Sequence, residues 1–111
     1  AFYDKFKTKE FNDAKILWFH AQCPGIVHTK SKPINKLEDL KGMKLRAYGT
    51  MADWLGKLGA STVVIPGGEL YTALATGVVS GAHWGDAGPM YIMKFHEVLK
   101  NYMKPEPAIV N

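Results

Sequence analysis

The sequence has little cysteine and no long apolar run. Its single cysteine, Cys23, cannot form an internal disulfide bond, so cysteine usage leaves the redox compartment open. The longest apolar stretches, such as 61–66 and 73–79, fall far short of the roughly 20 residues that a transmembrane helix needs, so we expect no membrane-spanning helix. The opening residues alternate apolar and charged side chains, unlike an export signal. At 111 residues with 47% hydrophobic content, the chain predicts one compact domain.

Arginine is scarce as well. Of the 14 Lys and Arg residues one is an arginine, Arg46, and the lysines are scattered along the sequence rather than grouped. A net charge of +4 spread in this way is typical of a solvated surface, so we expect no nucleic-acid partner. A guanidinium group binds a carboxylate with a planar, bidentate geometry that lysine lacks. Arg46 is therefore a candidate carboxylate ligand, with a surface cation at a strand end as the alternative.

Motifs for catalysis, nucleotide binding and metal binding are missing. The four histidines show neither HExxH nor CxxC partner spacing, so we expect no metal site. Cys23 precedes Pro24-Gly25 in a turn with no identifiable base, and no GxSxG elbow occurs. The Gly-Gly-Glu turn at 67–69 is neither a GxGxxG motif nor a P-loop. The sequence therefore predicts no cofactor and no catalytic activity.

Apolar periodicity predicts alternating strands and helices. The clearest helix covers 51–58, where apolar side chains recur at helical spacing before Gly59. Another helix is predicted from Pro89, with four side chains on one face: Ile92, Phe95, Leu99 and Tyr102. Strands are predicted over 15–20, 26–29, 43–47, 62–65 and 78–84, and further helices over 33–40 and 69–76. This order predicts an α/β fold with a mostly parallel sheet and crossover helices.

Candidate ligand-binding residues follow three of the predicted strands. The carboxyl ends of strands in such a sheet form one rim, where ligands bind. Arg46, the 66–68 turn and the His83-Trp84-Gly85-Asp86 segment lie at these ends. His83, beside Trp84 and near Asp86, could donate a hydrogen bond to a carboxylate or an alcohol, although a lone histidine is usually a packed or solvent-facing residue. We therefore expect these groups to converge on one small-molecule site.

Several segments resemble one family in the same order. Residues 33–46, Pro-Ile-Asn-Lys-Leu-Glu-Asp-Leu-Lys-Gly-Met-Lys-Leu-Arg, are similar to a segment of the DctP-type solute receptors of TRAP (tripartite ATP-independent) transporters. Leu58-Gly59-Ala60, the 68–82 stretch and the 94–98 segment resemble later parts of that family, and the resemblance spans 15–104. It implies a lobe of a two-lobed, type II-like periplasmic binding protein fold. Its parts would be a helix end and crossover strand (1–24), a lobe core (25–86), and a helix and return crossover strand (87–111).

The resemblance also implies roles for individual residues. Arg46 matches the family arginine that pairs with the substrate carboxylate. Trp84 and Tyr71 match an aromatic residue and a tyrosine of the subgroup that binds keto and hydroxy acids. His83 stands where that subgroup has a glutamate, which helps to hold a cation bridging to the substrate. The resemblance therefore does not carry a metal site over to this sequence.

The function that the resemblance implies is capture of a small organic carboxylate, such as a dicarboxylate or keto acid, in the periplasm for a TRAP membrane permease. Two alternatives share the architecture: a small-anion effector-sensing domain of a transcription regulator, and a lobe of an enzyme built on a similar scaffold. A single lobe leaves its crossover strands unpaired, so we expect the isolated chain to self-associate.

Overall fold

The computed structural model describes residues 25–85 and 87–103, together with Asp13, Lys15, Leu17 and Trp18. The predicted strand over 15–20 lies largely outside the described residues. Asp86 and Cys23 lie outside them entirely.

The described chain alternates short strands with helices, as the sequence predicts. Its strands are β1 (Ile26–Thr29), β2 (Lys44–Arg46), β3 (Ser61–Val63), β4 (Gly81–Trp84) and β5 (Asn101–Tyr102). Its α-helices are α1 (Thr50–Lys57), α2 (Gly67–Ala75) and α3 (Ala87–Ile92), and two 3₁₀ helices cover Leu37–Leu40 and Phe95–Glu97. None of the helices in this part of the chain reaches the length and apolarity required to cross a bilayer.

The five described strands form one sheet in the order β3-β2-β4-β1-β5. Strand β2 runs parallel to β3 and β4, because α1 and α2 return the chain across the sheet between β2, β3 and β4. Strand β1 pairs antiparallel with both β4 and β5. The predicted α/β class is confirmed, but the sheet is mixed rather than mostly parallel. The reason is that β1 and β5 lie outside the helix-connected unit and pair in the opposite direction.

The long helix predicted from Pro89 is wrong. Helix α3 ends at Ile92, and Lys94 adopts a left-handed conformation with φ of 57° that stops helical continuation. Phe95 then begins a 3₁₀ helix, and Tyr102 belongs to β5. The predicted shared face is therefore not formed: Phe95 is buried and Ile92 is 79% exposed.

Alternating side chains of β2 contribute to opposite faces of the sheet. Leu45 packs with Leu55 of α1 in one apolar cluster. Ala82, the β4 neighbour of Arg46, packs with Leu70 of α2 in the other cluster. Because successive strand residues point to opposite faces, Arg46 lies on the α2 face of the sheet. The fold thus places one arginine over an apolar layer, near the carboxyl ends of β2 and β4.

Candidate functional site

A cavity of about 390 Å³ opens at the carboxyl ends of β2 and β4. Strand β2 contributes its last residue, Arg46, and β4 contributes His83 and Trp84. The start of α1 closes another side, since Gly49 is its N-cap residue. The complete lining within the described residues is Gly25, Arg46, Tyr48, Gly49, Thr50, Met51, His83, Trp84, Gly85 and Pro89.

Arg46 is the buried cation of this cavity, with 5% of its surface exposed. Its Nε donates to the carbonyl oxygen of Ile65 at 3.0 Å, and its Nη1 donates to the carbonyl oxygen of His83 at 3.1 Å. Within residues 25–85 and 87–103, no carboxylate pairs with it. Burial lowers the pKa of Arg46, but an arginine remains protonated in proteins. The site therefore holds a desolvated positive charge that its described neighbours do not neutralise.

Two aromatic rings contact the guanidinium group. Its Cζ atom lies 4.6 Å from the ring centroid of Tyr48 and 4.6 Å from that of Trp84. The Trp84 ring is itself packed edge-to-face on Phe95, with centroids 5.1 Å apart. Sequence reasoning missed Tyr48. The available signal was its position two residues after Arg46, because residues i and i+2 of an extended chain share a face.

His83 contributes a neutral imidazole to the cavity. Burial lowers its pKa, and the positive charges of Arg46 and His28 lower it further. The ring packs against Gly25, where an added Cβ atom would overlap the imidazole. A hydrogen bond from the ring to the backbone of Gly25 opposes this lowering in part, and the second ring nitrogen can then accept one hydrogen bond at the cavity wall without adding a second positive charge.

Two other predicted parts of the site, Tyr71 and the 66–68 turn, do not line this cavity. Tyr71 lies on α2, outside the lining, and its hydroxyl donates to Glu97 Oε2 at 2.7 Å. That bond to a carboxylate raises the pKa of Tyr71. Asp86 lies outside the described residues. The 66–68 turn lies behind the site instead of lining it, since a Cβ atom on Gly67 would lie 2.9 Å from Trp84 Cη2.

The chemistry of the described lining suits an anion. Its polar side chains are those of arginine, histidine, tyrosine, threonine and tryptophan, and no carboxylate occurs among them. The N-terminal end of α1 adds its positive helix dipole. Nowhere in the described part of the chain do three histidine, cysteine, aspartate or glutamate side chains form a group that could hold a metal ion. The cavity therefore fits a small organic anion bound through direct hydrogen bonds.

An α/β unit with a ligand-sized cavity at its strand ends defines the class as a ligand-binding lobe. Comparison with known proteins gives the family. A family model described as bacterial extracellular solute-binding protein, family 7 (DctP) matches residues 3–110, and the chain belongs to this family. Members of this family and the structural neighbours are solute-binding proteins rather than enzymes.

Individual relatives carry informative names. The monocarboxylate 2-oxoacid-binding periplasmic protein of Nostoc sp. is 42% identical over 53 residues, which are 48% of this chain and 15% of that protein. A crystal structure of a TRAP periplasmic solute-binding protein from Desulfovibrio salexigens matches with a TM-score of 0.78 at 34% identity, covering 90% of this chain and 31% of that one.

A TRAP periplasmic solute-binding protein from Bordetella bronchiseptica, solved with bound (R)- and (S)-mandelate, is also similar. It has a TM-score of 0.76 and 31% identity, covering 90% of this chain and 32% of its own. The chain thus spans about a third or less of the relatives it matches.

Proposed function

We propose that this chain is the carboxylate-anchoring lobe of the extracytoplasmic substrate-binding subunit of a TRAP transporter. The observation that carries the proposal is Arg46, a buried guanidinium at a cavity wall with no carboxylate partner among the described residues. A buried charge is stabilised by an opposite charge in contact with it, and a ligand carboxylate would supply that charge. Relatives named for a 2-oxoacid and crystallised with mandelate support this ligand class.

Three side chains would contact different parts of the ligand. Arg46 would pair with the carboxylate, Trp84 would form an apolar wall, and His83 would accept one hydrogen bond from a ligand hydroxyl group. Tyr71 and Asp86 stay predictions from the strand-end pattern and the resemblance. We assign no catalytic step to any of these residues.

Transport would depend on the rest of the receptor. In a two-lobed receptor the ligand favours the closed arrangement of the lobes, because contacts from both lobes form only there. The closed receptor would then dock on the TRAP permease. Periplasmic location follows in this proposal from the names of the relatives. The isolated 111-residue chain, without the remaining parts of such a receptor, would self-associate.

The direct test is calorimetry with Arg46→Ala. The probes are pyruvate, 2-oxobutanoate and (R)-mandelate. Truncating one partner of a buried charge pair costs about 2–5 kcal/mol, so affinity should fall roughly 30-fold to several thousand-fold. Arg46→Lys should recover part of this loss, because an ammonium group retains the charge but not the planar fork.

Lys44→Ala is the matched control, since Lys44 is an exposed cation on the same strand. Its affinity should equal that of the wild type. Thermal unfolding shows whether Arg46→Ala still folds, because the carbonyls of Ile65 and His83 lose a donor in this variant. A folded Arg46→Ala protein that binds the probes as tightly as the wild type contradicts the proposed function.

A further inference from the structure

The N–H groups of Arg46 are not equally available to a ligand. A guanidinium carries five N–H donors in one plane. The Nε–H group already donates to the carbonyl oxygen of Ile65, and one N–H group of Nη1 donates to the carbonyl oxygen of His83. A side-on carboxylate would need the Nε–H group that Ile65 already accepts. An end-on carboxylate needs one N–H group from Nη1 and one from Nη2, and the described backbone bonds only one of these four N–H groups, so an end-on ligand meets more unbonded donors than a side-on ligand.

Tyr48 and Trp84 constrain the same group through its ring contacts, each 4.6 Å from Cζ to centroid. The two rings differ in how firmly they are held. Trp84 packs on Phe95 and against Gly67, so its own position is set by the core. Tyr48 is 54% exposed and lies at the turn into α1.

The turn after Tyr48 determines the position of the Tyr48 ring. Gly49 has φ of 58° and ψ of −145°, a conformation that is essentially restricted to glycine. The chain therefore bends sharply after Tyr48, and the residue remains on the wall of the cavity with Arg46. A ring so placed contributes little to the apolar core, yet it contacts the one buried cation of the described chain.

We propose that Tyr48 is a positioning residue that fixes the Arg46 guanidinium so that a carboxylate meets it end-on, through Nη1 and Nη2. The ligand part of this inference rests on the proposed carboxylate function; the positioning part does not. The ring acts through its π face, so phenylalanine should replace tyrosine and leucine should not. Without the contact the guanidinium can rotate. Ligand binding must then also restrict this rotation, at a cost in conformational entropy that the wild type does not incur on binding.

Arg46 offers a direct readout because it is the single arginine in the 111 residues. Arginine labelled with the heavy nitrogen isotope gives one Nε–H signal and one set of Nη signals in proton–nitrogen NMR spectra. In the wild type and in Tyr48→Phe, slow rotation should keep the Nη signals separate. In Tyr48→Leu they should merge, and exchange of the Nε–H proton with water should accelerate about 10-fold or more, as expected when a hydrogen bond opens more often.

Tyr102→Leu is the control, because Tyr102 is an exposed tyrosine on the edge strand β5. It should leave the Arg46 signals unchanged. Backbone amide spectra and thermal unfolding identify any variant that loses the fold. A folded Tyr48→Leu protein with wild-type Nη signals and Nε–H exchange overturns the positioning role.

Titration with pyruvate tests the approach of the ligand. The Nη signals should shift more than the Nε signal, and Tyr48→Leu should bind roughly 3- to 30-fold more weakly, the range of a cation–π contact. A larger shift at Nε overturns the end-on geometry. Failure of the proposed function gives a different result: Arg46→Ala would bind as the wild type does, while the effect of Tyr48→Leu on the Arg46 signals would persist.

Discussion

Two largely buried histidines on neighbouring strands, His28 of β1 and His83 of β4, make the stability of the lobe depend on pH. Burial lowers the pKa of His28 and of His83, and the charge of Arg46 adds to the effect on His83. His28 Nε2 is hydrogen-bonded to the carbonyl oxygen of Gly85 at 3.1 Å, which opposes the effect of burial only in part. In the unfolded chain both rings return to an ordinary pKa of about 6.5.

The sign of the effect follows from these directions. Below about pH 6.5 the unfolded chain takes up protons that the folded chain resists, so the free energy of unfolding falls as the pH decreases toward the lowered pKa values. We expect urea denaturation to show full stability above pH 6.5 and a decline below it. His83→Gln should reduce the slope of the decline, because it removes one of the two rings that resist protonation in the folded chain. Identical slopes in the wild type and His83→Gln contradict the prediction.

Part of the site is predictable from sequence because its residues lie at the ends of predicted strands. Arg46, His83 and Trp84 end neighbouring strands, and the structure brings them to one cavity. The resemblance alone predicts that Tyr71 binds the ligand, whereas the structure shows its hydroxyl donating a hydrogen bond to Glu97. Such a contact between α2 and a later 3₁₀ helix depends on how distant elements pack. Periodicity within one segment carries no information about it.

At the scale of elements, the segment after α3 shows why local periodicity overestimates helices. Apolar spacing from Pro89 onward is compatible with a helix, yet pairing of Asn101 with Thr29 draws the chain into the sheet edge. The chain must therefore reverse before residue 101, and it does so at Lys94. Lys94 N donates to the carbonyl oxygen of Tyr91 at 3.0 Å, closing the last turn. The hydrophobic pattern of the segment does not reveal that its end must pair with β1.

Lys94→Gly should stabilise the chain. A left-handed conformation costs an L residue about 1–2 kcal/mol, and glycine loses about 0.5–1 kcal/mol through the greater freedom of its unfolded chain. The expected net gain in the free energy of unfolding is about 0.5–1 kcal/mol by urea denaturation. The matched substitution Lys57→Gly changes the last residue of α1, which has a right-handed helical conformation, and should lower the free energy of unfolding by about 0.5 kcal/mol. Equal destabilisation by both substitutions would show that the left-handed turn carries no strain.

At the scale of the whole chain, the α3 and β5 side of the described residues exposes several large apolar side chains. A second cavity of about 590 Å³ opens there between β1, α3 and β5. Tyr91 and Tyr102 line this cavity and are 72% and 66% exposed. Strand β5 also ends the sheet, with one paired edge and one edge without a described partner. Unpaired strand edges and exposed apolar side chains together favour association.

We therefore expect the isolated 111-residue chain to show a mass in multi-angle light scattering that rises with concentration. Tyr91→Lys and Tyr102→Lys should each shift the mass toward that of a monomer, because a charge on this surface must lose its hydration when two copies meet. Leu37→Lys is the control, since Leu37 is also exposed but belongs to the first 3₁₀ helix. It should leave the association unchanged. A constant monomer mass across the concentration series would show that the exposed β5 edge does not bind a second copy, and an equal effect of Leu37→Lys would place the contact elsewhere.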